Sequence, residues 1–339
     1  MVNKADVGGC LACRGPPPLV RMPSDLDPEF FQPPAHELRA LDDLTAEQRA
    51  AVDWVANQAR TKSNAARPAL LTRLKGLGFQ KKDLLKTLTY IRDQAPLIVH
   101  IHLSKMITYL LSDTHYRNQF ETGTSHGLLN TGTRTGWEDR LFNNIYHAAK
   151  PFDRCKYGVL NMLCDPKGVK ACAQYGESYL QLKEARLRAT FADMDSGSAS
   201  ASLATCEFYS HILSKYNDRE LRAVVEVATG VRSWHDSSVI GTYKEIQVHG
   251  EIDLSRHVEA LVVNPRFRSD SGIKAKLQQV QEKHGFEIIW MDDADTSMGG
   301  VEGPRVLPAP KPGRGRGGRG GAAAKAKAAP AKAAGGGGG

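Results

Sequence analysis

The spacing of apolar and polar residues gives the chain a helical opening and a strand-rich centre. Over 44–61, Ala, Val and Trp recur on one face at helical spacing. Thr45 followed three residues later by Gln48 forms an N-terminal capping pair. Residues 67–94 predict one or two further helices, broken at Gly76 and Gly78. The run Leu97-Ile98-Val99-His100-Ile101-His102-Leu103 is short, β-branched and bounded by Pro96, which predicts a strand. Further strands are predicted at 157–163, 178–183, 186–193, 242–250, 258–265 and 286–291. Helices are predicted at 137–148, 201–214, 218–228 and 273–284, the last closed by Gly285. Helices followed by short strands predict an α+β fold, with N-terminal helices packed on a central, mostly antiparallel sheet.

The ends of the chain change this picture. Residues 1–42 are rich in Pro, Gly and Asp and predict poor order, and 301–339 predict a disordered tail. Residues 43–300 remain as one α+β domain. The tail from Gly303 holds eight of the 45 basic residues and no acid, so residues 1–302 carry 37 basic and 37 acidic residues. The net charge of +8 therefore belongs to the tail. It gives no ground for reading the body as a nucleic-acid binder. The GRGRGGRGG stretch at 313–321 suits contact with nucleic acid through phosphate charge and guanidinium stacking. No apolar run has the length of a membrane span or a signal-peptide core, which predicts a cytoplasmic or nuclear protein without a membrane partner. Six cysteines do not make a disulfide framework, and Cys10-x-x-Cys13 has no second CxxC to complete a zinc site.

Four polar clusters are candidates for chemistry. His100 and His102 alternate on the predicted strand, so both imidazoles would meet one ligand. Residues 116–127, YRNQFETGTSHG, lose hydrophobic periodicity. There Arg117 suits phosphate or carboxylate, Glu121 pairs with it, and Thr122 and Ser125 sit in a nest-like turn. Tyr175-Gly176-Glu177-Ser178-Tyr179 places two hydroxyls at a strand start. In the fourth, Tyr243, Glu245, Gln247 and His249 share one strand face, opposite Lys244, Ile246 and Val248.

Several of these motifs, in one order, resemble the domain of unknown function 3626 family over about 96–268. The resemblance rests on YRNQFETGTSHG, Trp137-Glu138 with Arg140-Leu141-Phe142, and Lys156-Tyr157-Gly158 with Leu160-Asn161. It continues through Tyr175-Gly176, Arg188-Ala189-Thr190-Phe191, Glu245-x-Gln247-Val248-His249-Gly250, Val258-Glu259-Ala260-Leu261 and Asn264-Pro265-x-Phe267. It implies no activity by itself.

The layout of polar clusters is also similar to that of ADP-ribosyltransferases. Those enzymes carry an Arg or His on the first strand, a Ser or Tyr at a middle strand and a Glu on a late strand. The resemblance implies NAD as cofactor, with Glu245, Gln247 and His102 as catalytic residues. It implies His100, Arg117, Glu121, Thr122, Ser125, Ser178 and Tyr179 as cofactor-binding residues. The family order is Gln/Glu-x-Glu, whereas Glu245-x-Gln247 reverses it. Two alternatives stand beside this one. The first is a metal-dependent hydrolase using His100, His102 and His249, with Glu245 or Glu121 as base. The second is a non-enzymatic nucleic-acid or protein binding module whose basic tail supplies affinity.

Overall fold

The computed structural model describes residues 35–123, 131–198 and 200–292. Helix α1 (Ala35–Asp42) lies inside the segment expected to lack order. It is tied down by Glu37, whose carboxylate accepts from the backbone N–H of Arg186 at 3.2 Å and of Leu187 at 3.4 Å. Thr45 then caps α2 (Ala46–Gly76), accepting from Gln48 N at 3.2 Å while Gln48 Oε1 accepts from Thr45 N at 3.0 Å. The two predicted helical segments fuse here into one helix that runs through Pro68. Proline removes only one backbone bond. The buried face of Ala51, Val55, Ala59, Leu70 and Leu74 continues on both sides of it and holds the helix together. Helix α3 (Lys81–Asp93) follows a turn in which Gly78 has φ +90.

Strand β1 (Leu97–Ile101) ends before His102, and α4 (Leu103–Ser112) begins where the strand was expected to continue. Leu103, Ile107 and Leu110 are buried at helical spacing. Glu177 supplies the missing cap by accepting from Leu103 N at 3.1 Å. Next come α5 (Gln119–Thr122), α6 (Thr131–Leu141), β2 (Lys156–Leu160), β3 (Ser178–Leu182), β4 (Ala189–Ala192) and β5 (Leu203–Ala204). They are followed by α7 (Ser210–Leu213), α8 (Asp218–Ala228), β6 (Glu245–Val248), α9 (Leu254–His257), β7 (Val258–Val263), α10 (Ser271–His284) and β8 (Glu287–Trp290).

Two predicted helices differ. The one expected at 137–148 lies at 131–141, and Asn143 and Asn144 follow it with φ +52 and +61, which an α-helix does not accept. The one expected at 201–214 is largely replaced by β5 and the short α7. Asp193 closes a β4–β5 hairpin there: its N–H donates to Ser202 O at 3.2 Å, and its Oδ1 accepts from Ser202 N at 2.7 Å.

The eight strands form one sheet in the order β5-β4-β6-β2-β1-β3-β7-β8, antiparallel except for β7–β8. One face carries Val99, Leu180, Phe191, Ile246, Val248, Leu261 and Val263 into the main core against α3, α4, α8 and α10. The other face carries Ile98, Val159, Tyr179 and Val262, with the polar residues Thr190, Glu245 and Gln247 toward the β4–β6 side. Strands β1 and β2 pair only through Leu97↔Leu160 and Ile98↔Val159, whereas β1 pairs with β3 along its whole length. The β1–β2 junction is as short as that between β4 and β5. Among the described residues no helix is long and apolar enough to cross a membrane. The Cys10–Cys13 pair and the basic tail lie outside the described residues.

Gly176 shows how tightly the segment before β3 is held. Its φ is +143, and a Cβ there would stand 1.9 Å from Ile101 C. Gly176→Ala is expected to destabilise the fold by more than about 3 kcal/mol, readable as a fall in the urea midpoint.

Candidate active site

Glu245 opens β6 and is 7 % exposed, although among the described residues no cation forms a salt bridge with it. Its Oε1 accepts from Gln247 Nε2 at 2.8 Å, and its Oε2 is 3.5 Å from the backbone N–H of Ser196. Burial raises its carboxyl pKa from the ordinary range to about 7, reinforced by the charge of Asp195. The Ser196 and Gln247 hydrogen bonds and the Arg134 charge pull the other way.

Behind Glu245 runs a hydrogen-bonded chain with a single direction. Tyr146 Oη lies 2.7 Å from His249 Nδ1; because Thr190 donates its own proton to Gln247, the imidazole proton is assigned to Nε2 and Tyr146 donates to Nδ1. His249 Nε2 lies 3.2 Å from Thr190 Oγ1, and Thr190 donates in turn to Gln247 Oε1 at 2.8 Å. Gln247 passes the polarity on to Glu245. Tyr146, His249, Thr190 and Gln247 are fully buried, and β4 and β6 supply two of them, Thr190 and Gln247, which stand opposite each other in the ladder. Burial, with help from Arg188 and Lys156, lowers the His249 pKa to about 3, so its imidazole stays neutral. The chain fixes the Gln247 amide with its NH2 toward Glu245.

The surroundings come from α6 and the turn at 193–198. Arg134 of α6 lies over the Trp137 ring at 5.1 Å and over the Tyr157 ring at 4.7 Å. Its Nε is buried without a hydrogen-bond partner. Glu138, on the same helix, accepts from Arg154 Nη1 at 2.7 Å and from Tyr157 Oη at 2.8 Å, which ties α6 to β2. Gly197 packs against Trp137 so closely that a Cβ would lie 3.2 Å from the indole. Asp195 accepts from Tyr243 Oη at 2.5 Å, and Tyr243 Oη is 3.3 Å from Tyr175 Oη. This turn packs on Glu245 through Ser196.

The other residues singled out from the sequence are dispersed. His100 and His102 do not share a ligand site. His100 Nδ1 bonds Gly176 O at 3.0 Å and its Nε2 accepts from Val169 N at 3.1 Å. His102 has left the strand for the start of α4, where its Nδ1 lies 3.2 Å from Glu177. Ser178 Oγ accepts from Asn264 N at 3.1 Å, and Tyr179 Oη donates to Pro166 O at 3.0 Å. These two side chains and His100 therefore hold loops in place. Arg117 pairs with Asp113 at 2.8 Å and not with Glu121. Glu121 instead accepts from Asn118 N at 2.9 Å and lies 3.1 Å from His115 Nε2. Thr122 donates to Asn118 O at 3.2 Å, while Ser125 lies outside the described residues. The hydrolase reading also fails to assemble: His100 and His249 each have both ring nitrogens engaged. Among the described residues no group of three His, Cys, Asp or Glu is placed to hold a metal.

Sequence reasoning missed Arg134, Asp195 and Ser196 as site residues, and it quoted Trp137, Tyr157 and Thr190 only as motifs. Strand alternation pairs Thr190 with Gln247 once β4 and β6 are known to be neighbours. Only the fold brings α6 over them.

The residues of this site fall within a match to one family, described as a protein of unknown function (DUF3626), over residues 98–223 and 220–302. The chain belongs to the DUF3626 family. The match covers more than half the chain, including β1 through β8 and the whole hydrogen-bonded chain behind Glu245. Curated proteins give no match. In this DUF3626 domain, the buried carboxylate is the group whose environment is least explained by packing.

Proposed function

We propose that this domain binds NAD and breaks its nicotinamide–ribose bond, in the manner of ADP-ribosyltransferase-like enzymes, with Glu245 as the catalytic carboxylate: nicotinamide leaves with the bonding pair, and water or another acceptor nucleophile bonds the ribose carbon and gives up its proton. The observation that carries the reading is Glu245 itself. A lone buried carboxylate is costly, yet four side chains are spent on orienting it from behind. Bound NAD supplies a glycosidic bond whose cleavage builds positive charge on the ribose. Glu245, in its ionised form, opposes that charge from a buried position. Gln247 holds the carboxylate in place and, through Thr190 and His249, keeps its oxygen from turning away.

The residues nearby fit such a ligand. Arg134 has a buried Nε without a partner and a charge suited to pyrophosphate. Trp137 and Tyr157 hold the Arg134 guanidinium over their rings and so orient its charge. The short β1–β2 pairing lies one strand away from Glu245, which stands opposite Val159 in the ladder. The roles first given to His100, Ser178 and Tyr179 pass to Arg134.

The test is calorimetric titration of the full chain with NAD, alongside chromatographic assay of nicotinamide release with and without a chelator. Binding with release that ignores the chelator is expected. Arg134→Ala is expected to weaken binding about tenfold or more, as loss of a charge-assisted contact does. Neither binding nor release at millimolar NAD would sink the proposal.

A further inference from the structure

We infer that a polar cavity at the end of β6 opposite Glu245 is a second ligand site, suited to a small zwitterion of the α-amino-acid class. The cavity has a volume of about 310 Å³, in the range of small-molecule sites. It lies between the α1–α2 turn, Asp153, Arg188 ahead of β4, Gly250 and Glu251 beyond β6, and α9. Glu245 and Gly250 are separated by about 16 Å of extended chain, so this is not the site described above.

Two residues that line the cavity each carry a buried donor without a hydrogen-bond partner among the described residues. Arg188 is 2 % exposed; its Nε donates to Glu184 O at 3.0 Å and its Nη1 to His249 O at 2.7 Å. Nη2 has no hydrogen-bond partner. His257 is 5 % exposed, and its Nδ1 accepts from Asp253 N at 2.9 Å, which places the ring proton on Nε2. Nε2 is also without a partner. Buried donors are nearly always paired, so two beside one cavity call for an acceptor. A carboxylate, with two oxygens and several lone pairs, answers both a guanidinium and an imidazole N–H.

The rim has the opposite sign. Arg256 is matched by Asp43 at 2.6 Å and Glu184 at 3.2 Å, while Asp153 and Glu251 add carboxylates to the lining. A simple anion would meet these acids. A zwitterion sets its carboxylate on Arg188 and His257 and its ammonium toward Asp153 and Glu251, satisfying both ends.

Thermal unfolding of the full chain with each common amino acid in turn tests this, with inorganic phosphate and glycerol as comparisons. At about ten times its Kd, a bound amino acid is expected to raise the midpoint by about 3 °C. Phosphate and glycerol are expected to leave it unchanged. His257→Asn keeps an acceptor for Asp253 N but removes the Nε2 donor. Glu251→Gln, at a side chain 44 % exposed, removes a rim charge without disturbing the core. Each variant is expected to lose most of the shift. No shift with any amino acid, an equal shift with phosphate, or a shift that survives in both variants overturns the assignment.

Discussion

Glu245→Gln is expected to abolish most NAD cleavage and, at the same time, to make the protein more stable at pH 8. Both effects follow from one fact: the carboxyl is held where its ionised form is disfavoured, with a pKa near 7. A pKa raised from about 4.5 to about 7 means that ionised Glu245 costs the folded state roughly 3 kcal/mol. The sign follows from proton binding. Below about pH 4.5 the carboxyl is protonated in both folded and unfolded chains and contributes nothing. As pH rises toward 7 the unfolded chain ionises first, and stability falls. Above 7 the full cost is present. Glutamine has the same shape, keeps an acceptor oxygen for Gln247 and carries no charge, so it removes that cost. Urea titrations should therefore give a variant more stable than the parent by about 2–3 kcal/mol at pH 8, with the difference vanishing near pH 4. Nicotinamide release should fall by a factor on the order of 10²–10³, as removal of a preorganised electrostatic group does. A variant less stable than the parent at pH 8 would mean that Glu245 is a structural acid.

Arg154→Ala is expected to destabilise the fold by about 3–5 kcal/mol near neutral pH, because it strands a buried charge. The Arg154–Glu138 pair is 2.7 Å long, with side chains only 6 % and 0 % exposed. Burial pushes the Glu138 pKa upward, while Tyr157 and Arg154 pull it down. Without the guanidinium, burial alone acts. Arg154 also donates to His147 O at 3.3 Å and lies over the Phe120 ring at 4.4 Å, so packing is lost with the charge. The loss should shrink below about pH 4.5, where Glu138 is protonated in both states. Because α6 carries Arg134 and Trp137 as well as Glu138, NAD binding should weaken together with stability. A stability loss that is the same at pH 4 and pH 7 would contradict the charge argument.

The elements most visible in the sequence were those with a strong local signal. Thr45–Gln48 marked the start of α2, Gly285 marked the end of α10, and alternation in 245–248 separated Glu245 and Gln247 from Ile246 and Val248. What stayed hidden depended on distant parts of the chain. Helix α4 was read as a continuation of the strand because its cap, Glu177, is 74 residues away from Leu103. The second strand of the 189–204 hairpin falls inside the helix predicted at 201–214, because Asp193, which closes the hairpin, gives no periodic signal. His100 and His102 were read as a ligand pair by strand alternation alone. The partners that occupy them, at 169, 176 and 177, could not be foreseen from spacing. The candidate site is thus half legible: its carboxylate and amide share a strand, while its cation and indole come from a helix more than 100 residues earlier.

The pH dependence of kcat/KM for nicotinamide release from NAD tests the central assignment most directly. The account predicts a rate that rises about tenfold per pH unit on the acid side, levels off above about pH 7, and loses that inflection in Glu245→Gln. A chain that does not cleave NAD, or a profile with the same inflection in the variant, would contradict it.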